Sequence, residues 1–485
     1  MPHQLDDVSS ALVQIRRESL DIYNRLHSIE EDIAFVNLVH EIYADLPLIP
    51  NLRCGAWYTD PTITSSTPAY FKSTDGHYGN WSFNLRRPNL HLLPLIIDHH
   101  GLVLVDSTRA GKRIPDAFSK TVPIWCAVIN RAVARVSPST MPDDWDIALY
   151  TPPQVVSAQE HAQIEARLDG WANALVGSSY KLPCLLQPLR PLWITPATSA
   201  FPKPEKPFLP IICLSASKQV QDGIERRNGG YIYVQGSGDD HELWGMRLTP
   251  KCFWNHHDKL LRSSRLDLNG IVEAIVSAST AISAKDDWVT LPSEILKTAG
   301  KLLICSNANL PSPLPSSLLG ATIGAVPAAF LQICAPGELA LPQSHQLPDF
   351  SYPNYVRLEA PQGKRGQSQF LQNVLPESMS FISNQLRIGS SVCISCGTGG
   401  DRSVGVALAA LQKFFDDTGS FVQEDTTRAP PNKLSIKTRL QWIISSHPQA
   451  NPSRTTLKRV NEFLLTSAFL NHSTPISFPS APASL

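Results

Sequence analysis

Apolar residues at Leu12, Ile15, Ile22, Leu26, Ile29, Ile33, Val36 and Tyr43 recur mostly at three- and four-residue steps. That spacing gathers them into one stripe and predicts a single amphipathic helix from Ser10 to Ala44. Shorter apolar runs follow at Leu92–Ile97, Leu102–Val105, Ile211–Leu214 and Tyr231–Val234. Their length and bounding turn residues predict strands, with one helical stretch near Ala158–Leu175. Between Pro183 and Pro210 there are eight prolines in 28 residues, which excludes helix and makes a poor central strand. The reading here is a long surface loop inside one domain. Helical patterning returns at Asn269–Ser283, and a second proline-rich zone runs from Pro311 to Pro353. Beyond it the order is helix (Glu377–Leu386), strand (Val392–Ser395), Gly-rich turn, then helix (Ser403–Asp416). These patterns predict an α/β protein with a mixed α+β domain over 1–290 and an α/β domain over 291–485.

Composition narrows the classes. The 485 residues carry 42 Lys and Arg against 42 Asp and Glu, so a wholly basic nucleic-acid binder is excluded and any such surface must be local. Charged residues at 17% and apolar residues at 42% exclude a disordered chain. Forty prolines exceed the usual share of about 5% and predict many irregular connections. No basic segment followed by an apolar run opens the sequence, and no stretch reaches the ~20 apolar residues that span a bilayer. The nine cysteines are odd in number and scattered, as reduced thiols are. Cytoplasm or nucleus is the compartment these features suggest, and a cytoplasmic protein is expected, with no membrane and no obligate protein partner.

The sharpest chemical signal is the run from Val392 to Gly405, with Cys396, Gly397, Thr398, Gly399, Gly400, Asp401, Arg402 and Ser403 at its centre. A strand entering a Gly-rich turn that opens a helix points backbone N–H groups and the positive helix end at one place, which suits phosphate. The alternative is a structural turn. Cysteine, five residues, arginine and serine resembles the P-loop of dual-specificity phosphatases. That resemblance implies a thiolate nucleophile at Cys396 and a phosphate-gripping fork at Arg402. The catalytic candidates in this turn are Cys396, Asp401 and Arg402. The upstream window from Glu359 lacks an Asp and offers Lys364 and Arg365 instead, a composition suited to holding phosphate rather than cleaving it.

From Arg428 to Val460 there are cations, Arg439, Arg454, Lys458 and Arg459 among them, and no acid. This stretch is either a nucleic-acid backbone contact or a solvated helix face. In the first half, KSTDGHYGNWSFNLRR brings together Lys72, Asp75, His77, Arg86 and Arg87. The run VDSTRAGKRIPD places Asp106 at a strand end before Arg109, Lys112 and Arg113. In YVQGSGDDHELW, Asp239, Asp240 and Glu242 are candidate ligands for a divalent ion, the alternative being an exposed acidic turn.

These stretches, with CGTGGDRSVGVALAALQKFF and QANPSRTTLKRVNEFL, resemble the initiator tRNA 2'-O-ribosylphosphate transferase family from the first helix almost to the last. The resemblance implies transfer of 5-phosphoribosyl from phosphoribosyl pyrophosphate to the ribose 2'-hydroxyl of adenosine-64 in the T-stem of initiator methionine tRNA, which keeps that tRNA out of elongation. It also implies a dual-specificity-phosphatase-like C-terminal domain and Mg²⁺ beside the pyrophosphate. On this reading Asp106 or Asp75 is the base, and residues 396–403 with Lys364 and Arg365 hold a phosphate. Lys72, His77, Arg86, Arg87, Arg109, Lys112, Arg113, Arg439, Arg454, Lys458 and Arg459 meet donor or tRNA, and Asp239, Asp240 and Glu242 hold the metal. The rivals are a cysteine-dependent phosphatase and a non-catalytic module that binds tRNA or phosphate.

Overall fold

A computed structural model describes residues 13–52, 54–65, 68–202, 207–282, 292–310, 328–336, 354–361, 363–422 and 430–470. The backbone divides into two compact units, 1–282 and 283–485.

The first unit opens with a helical stretch at 13–20, then helix α1 (Ile22–Ile42). The single helix expected from the stripe is broken at Asp21. That residue leaves helical geometry, and its carboxylate accepts from the Asn24 N–H at 2.9 Å, capping a new start. Strand β1 (Leu48–Pro50), helix α2 (Leu92–His99) and strand β2 (Leu102–Asp106) follow. The run Leu92–Ile97, expected as a strand, is therefore helix. It buries Leu92, Leu93 and Ile96, a helical spacing that a short continuous apolar run conceals. Helix α3 (Val122–Val136) and helix α4 (Ala158–Val176) lead to β3 (Leu189–Ile194) and β4 (Leu209–Ser215).

These four strands form one parallel sheet in the order β1-β2-β4-β3. The proline-rich stretch is thus not wholly loop. It supplies β3 at the sheet edge, where Pro191 is tolerated because one side of the strand needs no ladder donor. A ribbon of β5 (Ile224–Arg226) and β6 (Ile232–Val234) lies along α1. Asn24, Ser28 and Asp32, four residues apart on α1, act as a polar edge for it. Asn24 accepts from Ile232 N–H at 3.0 Å, Ser28 from Val234 N–H at 2.8 Å, and Asp32 from the Tyr233 hydroxyl at 2.8 Å. Short helices at Pro250–Asn255 and His257–Leu261, then α5 (Leu268–Ile282), close the apolar core around Leu26, Trp57, Val103, Ile212 and Phe253.

The second unit is a five-stranded sheet in the order β10-β9-β11-β8-β7. Its strands are β7 (Ser293–Glu294), β8 (Leu302–Ser306), β9 (Ala328–Cys334), β10 (Tyr355–Glu359) and β11 (Ser391–Cys396), all parallel except β7. A short helix at Gly363–Gln369, α6 (Leu375–Arg387), α7 (Arg402–Phe414), α8 (Lys433–Ser446) and α9 (Arg454–Leu470) complete it. Helix α7 is the hub, with Val404 through Leu411 buried. Most of the second proline-rich zone, and Arg428, lie outside the described residues. Among the described residues no helix is long and apolar enough to cross a membrane.

Candidate active site and phosphate loop

In a parallel sheet every strand delivers its C-terminal end to the same edge, and that edge is where ligands of such folds sit. In the first unit Asn51, Asp106, Ser107, Thr195 and Ser215 lie there. Asp106 does not face solvent. It is fully buried, and its carboxylate accepts from the Asn51 amide at 2.8 Å, the Cys54 thiol at 2.9 Å and the Ser107 N–H at 2.9 Å. The proposed base is therefore a brace, its oxygens occupied by the loop after β1. Asn51 extends the brace by accepting from the Phe71 N–H and donating to its carbonyl, which anchors the start of the 72–77 segment.

Asp75, the other candidate base, sits half-buried in a 3₁₀ turn (Ser73–Gly76). Its carboxylate meets Arg87 at 3.1 Å and the Ser82 hydroxyl at 3.3 Å. Lys72 and Arg87 both approach the Tyr70 ring, each 5.7 Å from its centroid. Arg86 is half-buried beside them. Gly76 is a forced choice, since a Cβ there would come within 2.6 Å of the Asp116 carbonyl and 2.8 Å of the Thr121 hydroxyl. The 72–77 turn is thereby pressed onto the π-helical turn Ala117–Thr121.

At that contact Asp116 collects two lysines and an imidazole. Lys120 lies 2.9 Å from one oxygen, Lys112 bonds the other, and His77 stands 3.7 Å away. Burial would raise the Asp116 pKa, but the bonds and charges of the two lysines outweigh it and hold it below the ordinary 3.8. Lys120, which sequence reasoning missed, is buried and also reaches Glu160 at 3.5 Å. The signal that could have found it is its i, i+4 spacing from Asp116, that of a helical ion pair.

The 108–112 loop and the 235–240 segment form one assembly. The Gln235 amide donates to the carbonyls of Lys112 at 2.7 Å, Arg109 at 3.0 Å and Thr108 at 3.3 Å. Gly236, at φ +70°, passes so close that a Cβ would lie 2.5 Å from the Thr108 carbonyl oxygen. Exposed Arg109 pairs with both Asp239 and Asp240. This corrects the expected metal triad, because the two aspartates turn to a guanidinium while Glu242 stays solvent-exposed. Among the described residues no three His, Cys, Asp or Glu side chains converge on a metal position. Arg113 is spent on Thr195 at 3.3 Å and Gln154 at 3.0 Å.

Beneath these loops runs a buried polar chain. Asp32 accepts from Ser217 at 2.5 Å, and Ser217 meets Ser107 at 2.6 Å. The Tyr58 hydroxyl accepts from the Gly238 N–H at 2.7 Å. Burial pushes Asp32 well above its ordinary 3.8, against the opposing effect of its two hydroxyl partners.

In the second unit β11 feeds the turn 396–401 and α7, the order expected from sequence. The Cys396 Sγ is buried, 3.1 Å from the Ser403 hydroxyl at the helix start. Gly399, at φ +69°, lies against β8, where a Cβ would be 2.8 Å from the Ser306 nitrogen. Gly397 has open space around its Cβ position. The Gly400 N–H reaches the Thr398 hydroxyl at 3.3 Å. Asp401 faces away from the cradle and accepts from the Ser453 N–H at 2.8 Å, while the Gly400 carbonyl accepts from the Asn451 N–H at 2.9 Å. These two bonds fasten the turn to the start of α9. His447 adds a third, 3.2 Å from the Gly399 carbonyl. The Arg402 guanidinium is stapled to the carbonyls of Ala360 and Pro361. Lys364 and Arg365 fall in the first turn of the helix after that loop, with Arg365 exposed.

The basic tail splits. Arg439 is buried and donates to the carbonyls of Leu411 and Phe415 at 3.1 Å and to Asp417 at 3.0 Å. It caps the C-terminus of α7 and is not free to meet tRNA, a correction to the sequence reading. Arg454 and Lys458 are exposed one helical turn apart on α9, and Arg459 pairs with Glu462 at 2.6 Å.

Two family models match the chain, the Rit1 N-terminal domain over residues 15–277 and the Rit1 DUSP-like domain over 354–464. A relative from Saccharomyces cerevisiae, "tRNA A64-2'-O-ribosylphosphate transferase", is 33% identical over 93% of both chains. An uncharacterized protein of Schizosaccharomyces pombe is 31% identical over 95% of this chain and 98% of its own. Among solved structures, human DUSP28 is 12% identical, covering 37% of this chain and 95% of that one at a TM-score of 0.24.

Proposed function

Because this chain belongs to the Rit1 family, we propose that it is a pentosyltransferase acting on tRNA, moving 5-phosphoribosyl from phosphoribosyl pyrophosphate to the ribose 2'-hydroxyl of adenosine-64. The observation that carries this is the double match. Each family model falls within one of the two units the backbone forms, and the yeast relative aligns across both. The acceptor is initiator methionine tRNA, approached at its T-stem. There a doubly charged mark excludes the tRNA from elongation, and a cytoplasmic location accords with that substrate.

In the reaction the 2'-oxygen bonds to C1 of the donor ribose as the C1–O bond to pyrophosphate breaks. The bonding pair leaves with pyrophosphate, and the hydroxyl proton passes to a base. Such a step needs cations on the departing charge and two substrates held in line. Lys72, Arg87 and Lys112 support this, with the His77 imidazole as a further polar group, since they gather where 72–77 meets 106–116. Asp75 is better placed as the base than Asp106, because it is half-buried with one longer hydroxyl contact at 3.3 Å, whereas Asp106 is fully buried with three donors on its carboxylate. Mg²⁺, expected beside pyrophosphate, would be held mainly by the donor's own phosphates and water, since no cluster of three His, Cys, Asp or Glu side chains converges among the described residues. The turn 396–403 takes a phosphate of donor or tRNA as a passive clamp. A duplex T-stem is met through its shape, 2'-hydroxyls and phosphates.

The test incubates the full chain with labelled donor, Mg²⁺ and either initiator or elongator tRNA. Label on initiator tRNA alone is the expected result, and label on neither refutes the proposal.

A further inference from the structure

The turn His77–Asn80 projects an aromatic ring that the reaction above does not use. The Asn80 N–H donates to the His77 carbonyl at 2.9 Å, and Gly79 takes φ +77°. This is the geometry that puts Tyr78 at the tip of a tight turn. Tyr78 is 68% exposed, costly for so large a ring. The ring nevertheless has a firm seat. It packs edge-on against the buried Trp81, with centroids 5.3 Å apart at 76°. The Trp81 indole donates to Glu160 at 3.0 Å, and Arg167 lies 4.9 Å from its ring centroid. Glu160 in turn meets Lys120, which holds Asp116.

Asp116 gathers two exposed polar heads, the Lys112 ammonium at 53% exposure and the His77 imidazole at 49%, and His77 opens the same turn that carries Tyr78. An anchored aromatic face on the same turn as an imidazole donor, with an ammonium held at the same carboxylate, is a combination that holds one nucleotide, the ring under the base and the two N–H donors on its phosphate. Inside a duplex both faces of a base are already stacked, so only a nucleotide outside helical stacking can use the ring.

We infer that Tyr78 is a docking residue for an unstacked nucleotide of the RNA substrate, with Lys112 and His77 on that nucleotide's phosphate. The inference rests on the tRNA reading above and extends it from a duplex stem to a splayed base. A tRNA is then bound better than its isolated stem.

The test compares the full chain with its Tyr78→Ala, Tyr78→Phe and Lys112→Met variants in fluorescence anisotropy, using intact initiator tRNA and a bare T-stem duplex. Tyr78→Ala should weaken intact tRNA roughly five- to hundredfold, the range for one base–aromatic stack, and leave the duplex unchanged. Tyr78→Phe keeps the ring and should restore the affinity. Lys112→Met should lower the salt dependence of tRNA binding by about one ion, whereas Tyr78→Ala should not. Equal losses on tRNA and duplex, no loss on either, or an altered donor KM with intact tRNA affinity would each overturn the inference. Failure of the transfer reading would show separately, as wild-type protein that labels no tRNA.

Discussion

Replacing Gln235 tests whether the two motif loops of the first unit are one assembly. Its side chain is 3% exposed and lies opposite three carbonyl oxygens of the 108–112 loop, while its own oxygen accepts from the Val220 N–H at 3.2 Å. An amide nitrogen has only two hydrogens. The contacts at 2.7 and 3.0 Å therefore carry the donation, with the one at 3.3 Å shared. Three effective bonds at about 1 kcal/mol each put Gln235→Leu near 3 kcal/mol of lost stability. For a unit of this size that is roughly 6–12 °C in Tm. Gln235→Glu, with the same shape, keeps the bond from Val220 but sets a carboxylate against three carbonyls, so it should cost at least as much.

The assay is hydrogen exchange on peptides spanning 106–113, with thermal unfolding alongside. Faster exchange confined to that loop and to 235–240, together with a raised donor KM, is expected from both variants. Wild-type exchange in the Glu variant would refute the reasoning, because no arrangement of a carboxylate satisfies those carbonyls.

The same structural logic extends to four other sites. Arg439→Met should cost about 2–4 kcal/mol of second-unit stability by stripping the carbonyls that end α7, yet leave the salt slope of tRNA binding unchanged in a filter-binding titration. Lys458→Ala should do the reverse, flattening that slope by about one ion with no change in Tm. Cys396→Ser should keep inorganic phosphate affinity, measured calorimetrically, within about threefold, since the backbone cradle remains, and should leave transfer intact. Burial lowers the pKa of His447 below the ordinary 6.5, against its bond to the Gly399 carbonyl. The unfolded chain therefore binds that proton more readily, and stability present above pH 6.5 is lost as the pH falls through it. A thermal scan from pH 7.5 to 5 should show this loss, and His447→Asn should reduce it.

What the sequence disclosed and what it hid divide along one physical line. Strand, Gly-rich turn and helix at 391–414 were legible because each signal is local: a β run, glycines free to take positive φ, then a buried helical stripe. The run at Leu92 hides its helix for the same reason, as five apolar residues and a proline carry no period that separates helix from strand. Pairing, by contrast, is not local. Gln235 reaches back more than a hundred residues to its loop, and Asn24, Ser28 and Asp32 find their partners in a ribbon about two hundred residues further along the chain. So the motifs were seen, but their polar residues could not be sorted. Folding sorts them by occupancy. Asp106, Asp239, Asp401, Arg402, Arg113 and Arg439 have their hydrogen bonds met within the chain. Lys112, His77 and Tyr78, with Lys458 and Arg454 in the other unit, keep exposed ends. These exposed ends are lysine and arginine heads, an imidazole and one aromatic ring, groups that suit a polyanionic partner.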